Sequence, residues 1–484
     1  MRFVQLASGP ITRNAATHAV LSSTQRQVTR EEHYEMQVEP ARGADAESLG
    51  DGLPALLVLS VVAGAGAGVI GAAFHIALDW ANRLRNALIV VGREDNWIGL
   101  CFFVLLCAFA TLVAAWLVKR FSLHASGSGI PHVEASLNGL VAPGSPVLIP
   151  VKFFGGALGI GAGLALGREG PSVQMGAVIA QEIARIARRP WADYRALLAA
   201  GAGAGLATAF NAPIAGAVFV LEELVQRFEH RIAICALAAS AAAISVAHIF
   251  LPERPAFQVP DLAIPPVASL PVFVVFGFVC GTIGIIYFRV MMGALALFGG
   301  VRRPGPLSRA ALIGACVGAI AWRFPDVVGG GETLTQSALL GAGDLTSLTL
   351  MFVFRLLLGA VSYAAETPGG MFAPMLALGA ELGLIFSEVA RFFGVVETTP
   401  GPAFALVGMT ALFSGVVRAP LTGIVLVTEM TANTTMLLPM LCACSAAMVP
   451  AMRRGVPPLY EALRDRVVRR ERGHVKATDT PFQP

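Results

Sequence analysis

The sequence has few charged residues, and this shortage excludes most soluble folds. Asp, Glu, Lys and Arg make up 14% of its 484 residues, against about 25% in an ordinary soluble domain. Residues 98–118 and 232–252 contain none of the four. Because about 20 apolar residues in a helix cross the hydrocarbon core of a bilayer, the sequence predicts an all-α polytopic membrane protein.

Patterns for catalysis and metal binding are also missing. The chain contains no HExxH, no Gly-x-Ser-x-Gly and no phosphate loop ending in Gly-Lys-Ser or Gly-Lys-Thr. Its seven cysteines form no CxxC pair, and its eight histidines are scattered. The net charge of +4 gives no reason to expect a nucleic acid partner. We therefore expect no enzyme activity, no cofactor and no metal site.

The two ends differ from the apolar middle. The first fifty residues carry charges of both signs without an apolar stretch, which argues against a cleaved signal peptide. From Arg453 onward there are eight Lys or Arg residues against four acids, which predicts a cytoplasmic C-terminus. The predicted organisation is a polar cytoplasmic arm (1–50), two membrane repeats (51–255 and 256–460) and a basic cytoplasmic tail (461–484).

An internal repeat supports the division into two halves. Residues 211–222 and 418–429 are identical at six of twelve positions, including an Ala-Pro pair and a final glutamate. Upstream, Pro171 and Gly176 match Pro374 and Gly379 at a slightly shorter offset. Two copies of such a unit in an apolar chain are typical of transporters, whose binding sites lie at the repeat interface. Chance similarity in a chain rich in Ala, Gly and Val is the alternative.

Three glycine-containing breaks interrupt the apolar sequence, and each ends in proline. They are Gly127-Ser128-Gly129-Ile130-Pro131, Gly167-Arg168-Glu169-Gly170-Pro171 and Gly369-Gly370-Met371-Phe372-Ala373-Pro374. Since proline is favoured in the first turn of a helix, each break predicts a helix start at membrane depth. Helix starts expose free N–H groups and a partial positive charge, so several together predict an anion site. Taken singly, each break is also compatible with an ordinary helix start.

Acidic residues in apolar surroundings are the next candidates. Glu169 would lie beside an anion-binding helix start, where its ionised carboxylate can take the anion's place. A structural ion pair with Arg168 is the alternative. Glu222 and Glu223 end an apolar run. Because adjacent helix residues point about 100° apart, we expect one to pack inside while the other faces water. Tyr460, taken alone, indicates an interfacial aromatic residue.

The three breaks, in this order and spacing, resemble the signatures of the CLC family of chloride channels and transporters. The resemblance runs from about Leu53 to Tyr460. It implies a homodimer in which each subunit holds one anion pathway, built from two inverted-topology repeats of tilted and broken helices. A bacterial inner membrane is the implied location. The segment after Tyr460 is too short to hold the paired nucleotide-binding modules of some relatives, so we expect no such modules.

The resemblance also implies roles for individual residues. Ser128 and Tyr460 would coordinate chloride through their side chains, and backbone N–H groups near Met371 and Phe372 would complete the central site. Glu169 matches the gating glutamate, which competes with chloride and carries the proton on the outer side.

Glu223 matches the inner proton-transfer glutamate that marks the family's exchangers. The implied function is therefore H⁺/Cl⁻ antiport, with a passive gated chloride channel of the same fold as the alternative. Glu366 departs from the family's usual small residues before the third break. It is either a solvated loop residue or a group that alters conductance.

Ser128 is expected to determine selectivity, since nitrate-selective relatives tend to carry proline there. Replacing it (Ser128→Pro) should raise nitrate transport relative to chloride transport, because a hydroxyl donor is lost from the anion site. Paired nitrate and chloride flux measurements in liposomes check this. An unchanged ratio would remove Ser128 as a selectivity determinant.

Overall fold

The computed structural model describes residues 52–93, 97–300, 305–394 and 399–478, with side chains to residue 472. The predicted N-terminal arm therefore lies outside the described residues. Within them are seventeen α-helices and no strand. The first eight helices are α1 (Leu53–Gly92), α2 (Trp97–Phe121), α3 (Ile130–Leu137), α4 (Leu148–Gly161), α5 (Glu169–Ile186), α6 (Trp191–Phe210), α7 (Pro213–Phe219) and α8 (His230–Ala247).

Eight more helices follow in a similar order of long and short elements, and a last one ends the described chain. They are α9 (Leu270–Gly300), α10 (Pro306–Arg323), α11 (Glu332–Leu339), α12 (Leu345–Tyr363), α13 (Phe372–Phe392), α14 (Gly401–Val417), α15 (Pro420–Thr431), α16 (Leu437–Arg453) and α17 (Leu459–Thr478). The described parts of Leu53–Arg189 and Asp193–Pro484 form one compact unit. Gly52 and Pro190–Ala192 are the described residues of a second unit.

Several helices have the length and composition needed to cross a membrane. Six do so among the described residues: Leu53–Gly92, Trp97–Phe121, His230–Ala247, Val267–Gly300, Leu345–Tyr363 and Phe372–Phe392. Others, such as α3 and α7, are too short to span the hydrocarbon. The chain therefore combines full spans with broken helices, as the glycine and proline breaks predict.

Close helix packing is repeated in the two halves. In the first half α1 lies against α8, and in the second half α9 lies against α16. A methyl group added to Gly64 would lie 2.1 Å from a carbonyl oxygen of α8, and one added to Gly68 would lie 2.4 Å from another. One added to Gly277 or Gly281 would approach a carbonyl of α16 to 2.2 and 2.1 Å. Glycines spaced by four thus let both helix pairs meet at backbone distance.

The matched glutamates of the repeat cap each other's helices. Glu222, which follows α7, accepts hydrogen bonds from the first turn of α15, and Glu429 of α15 accepts them from the first turn of α7. The bonds join Glu222 to Leu421 N (3.0 Å) and Thr422 N (2.6 Å), and Glu429 to Ile214 N (3.0 Å) and Ala215 N (2.8 Å). Each carboxylate satisfies free N–H groups at a helix start. The sequence repeat is therefore a structural one.

The middle of the fold is formed by the most deeply buried helices. Nearly every residue of α6 and α14 is buried. Helix α13 packs along α14, and its first residue, Phe372, contacts Phe210 and Phe413 with ring centroids 5.4 and 4.4 Å apart. The start of α13 is thereby held rigidly in the protein interior.

Candidate anion-binding site

The three glycine loops meet in the interior, and the third loop joins the other two. Gly127 N–H donates to Thr367 O at 3.0 Å, and Gly369 N–H donates to Gly127 O at 3.1 Å. Gly167 and Gly370 exchange two backbone hydrogen bonds of 2.8 and 2.7 Å. These loops precede α3, α5 and α13, so the starts of three helices are held close together.

Each predicted helix start is where the sequence places it. Helix α3 begins at Ile130 with Pro131 in its first turn, after Gly129 in a left-handed conformation (φ 87°). Helix α5 begins at Glu169 and α13 at Phe372. Their free N–H groups give this region a partial positive charge that favours anions.

Glu169 occupies part of this positive region. Its side chain is fully buried, and Oε1 accepts hydrogen bonds from Phe372 N at 2.6 Å and Ala373 N at 3.3 Å. Oε2 has no hydrogen-bond partner among the described residues. A carboxylate of the first repeat thus lies on the helix start of the second.

Glycine is required around this carboxylate. A methyl group at Gly167 would lie 2.1 Å from Glu169 Oε2, and one at Gly370 would lie 2.2 Å from Oε1. A methyl group at Gly170 would lie 2.5 Å from the Ser128 hydroxyl oxygen. The glycines therefore let Glu169 and Ser128 approach the helix starts, and Pro171 completes the first turn of α5.

Arg168 does not form the ion pair with Glu169 that was considered as an alternative. Its Nη1 lies 3.2 Å from Glu332 Oε1 and 3.0 Å from His75 Nε2, and its Nε donates to Ala209 O at 2.9 Å. Arg168 and Ala373 line a cavity of about 410 Å³. This cavity therefore borders the first turn of α13, of which Ala373 is the second residue.

Ser128 and Tyr460 present unused hydroxyl groups. Both residues are fully buried, and neither Ser128 Oγ nor Tyr460 Oη has a hydrogen-bond partner among the described residues. Tyr460 is therefore not at an exposed interface. Buried hydroxyls are normally hydrogen-bonded, so these two are available to a bound ligand. Met371, also buried, precedes the first turn of α13.

The acids Glu222 and Glu223 have different surroundings, but neither faces water freely as we expected of one of them. Glu223 is buried, with 5% of its surface exposed, in a π-helical turn at Val220–Leu224. Glu222 is half-buried and bonded to α15, so it is not a solvated helix end. Glu134 and Arg464 are electrostatic neighbours of Glu223, and they form an ion pair of 2.6 Å between α3 and α17.

Two groups at the site were missed from the sequence. Lys152 of α4 is fully buried, and its Nζ donates a hydrogen bond to Gly127 O at 2.6 Å. This bond holds the first loop against α4. A lone lysine in an apolar run is a signal that could have revealed it. Tyr363, the last residue of α12, accepts a hydrogen bond from Ser128 N at 3.4 Å. Nothing in the local sequence indicates that contact.

Glu366 is neither freely solvated nor deeply buried. Its side chain is 35% exposed and lies 3.8 Å from Arg309 Nη2 and 3.9 Å from Arg470 Nη1. It thus lies between arginines of α10 and of α17, the helix that carries Tyr460, and is a partly solvated loop residue.

Comparisons with known proteins identify the family and the solved structures that this chain resembles. The family model described as "Voltage gated chloride channel" matches residues 110–451. An H(+)/Cl(-) exchange transporter ClcA of Cronobacter sakazakii is 37% identical over 87% of this chain and 92% of its own. One of Salmonella arizonae is 35% identical over 86% and 89%. A crystal structure of a slow cyanobacterial Cl-/H+ antiporter matches with a TM-score of 0.81 and 30% identity, over 85% of this chain and 98% of its own. The predicted fold, an all-helical membrane protein of two inverted-topology repeats, is confirmed.

The fit of Glu169 against the third loop can be tested by adding one methyl group. Gly370→Ala should lower the free energy of unfolding by about 1–3 kcal/mol, because the methyl group overlaps Glu169 and the backbone of Gly170. Thermal unfolding in detergent measures this.

Gly359→Ala in α12 is the matched control, since a methyl group there meets no atom within 4 Å. It should leave the stability unchanged or slightly raised. Equal stability of the two variants would contradict the close fit around Glu169.

Proposed function

The chain belongs to the voltage gated chloride channel family, and on this premise we propose that it exchanges chloride for protons across a membrane. Two of the relatives bear the name of an H(+)/Cl(-) exchange transporter. The observation that carries the proposal is the Glu169 carboxylate on the amides of Phe372 and Ala373. A group that gains and loses a proton lies there on an anion-binding helix start.

In the proposed cycle, chloride and Glu169 compete for the same N–H groups. The ionised carboxylate takes up the donors of α13, which closes the pathway. A proton removes its charge and weakens those bonds, because hydrogen bonds to a charged acceptor are about twice as strong as neutral ones. The side chain then leaves, and chloride takes the vacated donors. Each passage of an anion is thereby linked to protonation of Glu169.

The central chloride site is proposed to lie between the first and third loops and the start of α17. Ser128 Oγ and Tyr460 Oη would donate to the anion, and backbone N–H groups near Met371 and Phe372 would complete the site. Both hydroxyls are buried and have no hydrogen-bond partner within the described ranges, which supports this assignment. Neutral donors suit transport, since the ion is attracted enough to enter and still leaves.

Glu223 is proposed to deliver protons from the inner side. It is a second buried acid, and it belongs to the first repeat, as Glu169 does. A passive chloride channel of the same fold needs no such group. The presence of Glu223 therefore favours exchange over passive conduction, and transport rather than enzymatic turnover is the proposed activity.

Assembly, location and domain bounds belong to the same proposal. We infer a homodimer with one pathway per subunit, in a bacterial inner membrane, with the basic tail in the cytoplasm. The proposed membrane repeats are residues 51–255 and 256–460. Integral membrane placement is supported by the six long apolar helices among the described residues.

Reconstitution into liposomes with a chloride gradient and an internal pH indicator tests exchange. The unaltered protein should drive protons against their own gradient. Glu169→Gln and Glu223→Gln should keep chloride movement and reduce proton movement to that of protein-free liposomes, because neither amide titrates.

Glu388→Gln is the matched control, since Glu388 is an acid of α13 paired with Arg391 at the protein surface. It should behave as the unaltered protein does. Chloride flux without any proton movement in the unaltered protein would establish the passive channel instead. Normal coupling in Glu169→Gln would reject the role of that residue.

A further inference from the structure

Three of the chain's five tyrosines gather around the proposed anion site. Tyr287 of α9, Tyr363 of α12 and Tyr460 of α17 are all buried, with exposed fractions of 3%, 8% and 0%. Tyr460 interacts electrostatically with the other two and with Glu169. Of these, Tyr460 is a proposed chloride ligand. Tyr363 differs from Tyr287 in that it contacts the first loop directly.

Tyr363 lies directly against the first loop. Its Oη accepts a hydrogen bond from Ser128 N at 3.4 Å. The same oxygen would lie 2.8 Å from a methyl group added to Gly127, which has a positive φ of 64°. The preceding residue, Ser362, accepts a hydrogen bond from Ala165 N at 3.0 Å, just before the second loop. The end of α12 is thus fixed between two of the three loops.

The direction of the hydrogen bond leaves the tyrosine's own proton free. Since the Ser128 N–H donates to Oη, the hydroxyl still has one hydrogen to give. No acceptor for that hydrogen is found among the hydrogen bonds of the described residues. Two other hydroxyl oxygens of the site, Ser128 Oγ and Tyr460 Oη, are also buried, with no hydrogen-bond partner in the part of the chain that the structure describes. Each of the three hydroxyls has a hydrogen to donate and no acceptor among the described residues, and an anion would provide one.

We propose that the Tyr363 hydroxyl is a third side-chain ligand of the central anion site, together with those of Ser128 and Tyr460. The inference rests on the proposed function, because it assumes an anion at that site. The Tyr363 Oη accepts the hydrogen bond of the Ser128 N–H, which an anion would otherwise accept. Its own O–H then donates to the anion in place of that N–H. A hydroxyl that accepts a bond from an N–H group is polarised and donates more strongly.

The test is chloride binding to the purified protein in detergent, measured by calorimetric titration from chloride-free buffer. Tyr363→Phe removes only the hydroxyl and should weaken chloride binding about 3- to 10-fold, as expected for one hydrogen bond. Ser128→Ala should weaken it to a similar extent. Tyr194→Phe, a tyrosine of α6, is the matched control and should bind chloride as the unaltered protein does.

Thermal unfolding separates binding from structural support. With chloride absent, Tyr363→Phe should melt slightly below the unaltered protein, because the Ser128 N–H loses its acceptor. The stabilisation added by chloride should shrink as well. Lower stability without chloride and unchanged affinity would make Tyr363 a structural residue and overturn the inference.

Bromide provides a second measurement, because its anomalous diffraction places the ion directly. Crystals of Glu169→Gln are used, since the ionised carboxylate otherwise holds the Phe372 N–H. The inference expects bromide in contact with the Oη atoms of both Tyr363 and Tyr460. Bromide at Tyr460 but away from Tyr363 would overturn it and leave the proposed function intact. If Ser128→Ala binds chloride normally and bromide is absent from the site, the proposed central site itself fails, and this inference with it.

Discussion

A backbone N–H group inside a bilayer needs an acceptor, because no water is there to provide one. At the start of α13 the acceptor is the Glu169 carboxylate, 2.6 Å from the nitrogen of Phe372. At Gly167, Gly170 and Gly370 the surrounding loops leave no space for a methyl group, and backbone hydrogen bonds between the loops hold them together. The Phe372 N–H needs an acceptor, and in the proposed cycle the Glu169 carboxylate and chloride accept its hydrogen bond in turn. Such an exchange of acceptors lets an anion both enter and leave.

The two-fold organisation of the chain brings these groups together. Reciprocal caps at Glu222 and Glu429 fasten α7 to α15, and the glycine-lined helix pairs repeat in both halves. Glu169 comes from the first repeat and its N–H donors come from the second. The carboxylate and its N–H donors therefore come together only between the two halves of the chain, and an isolated half would lack one or the other.

Local rules predict much of this arrangement. Proline in a first turn and glycine before it indicated the starts of α3, α5 and α13, and the matched Ala-Pro and glutamate positions indicated the repeat. Those features depend on residues close in sequence. The ion pair of Arg168 with Glu332 and the contact of Tyr363 with Ser128 did not follow, because each joins residues more than a hundred positions apart. Such contacts depend on helix packing, which no short pattern encodes.

The central claim is that Glu169 and the transported anion use the same donors. Crystals grown in bromide measure this most directly, with the unaltered protein compared with Glu169→Gln. The account predicts an anomalous bromide peak within hydrogen-bonding distance of the Phe372 and Ala373 nitrogens in the variant, and none there while the carboxylate is in place. Bromide at those nitrogens beside an undisplaced Glu169, or its absence from them in Glu169→Gln, would contradict it.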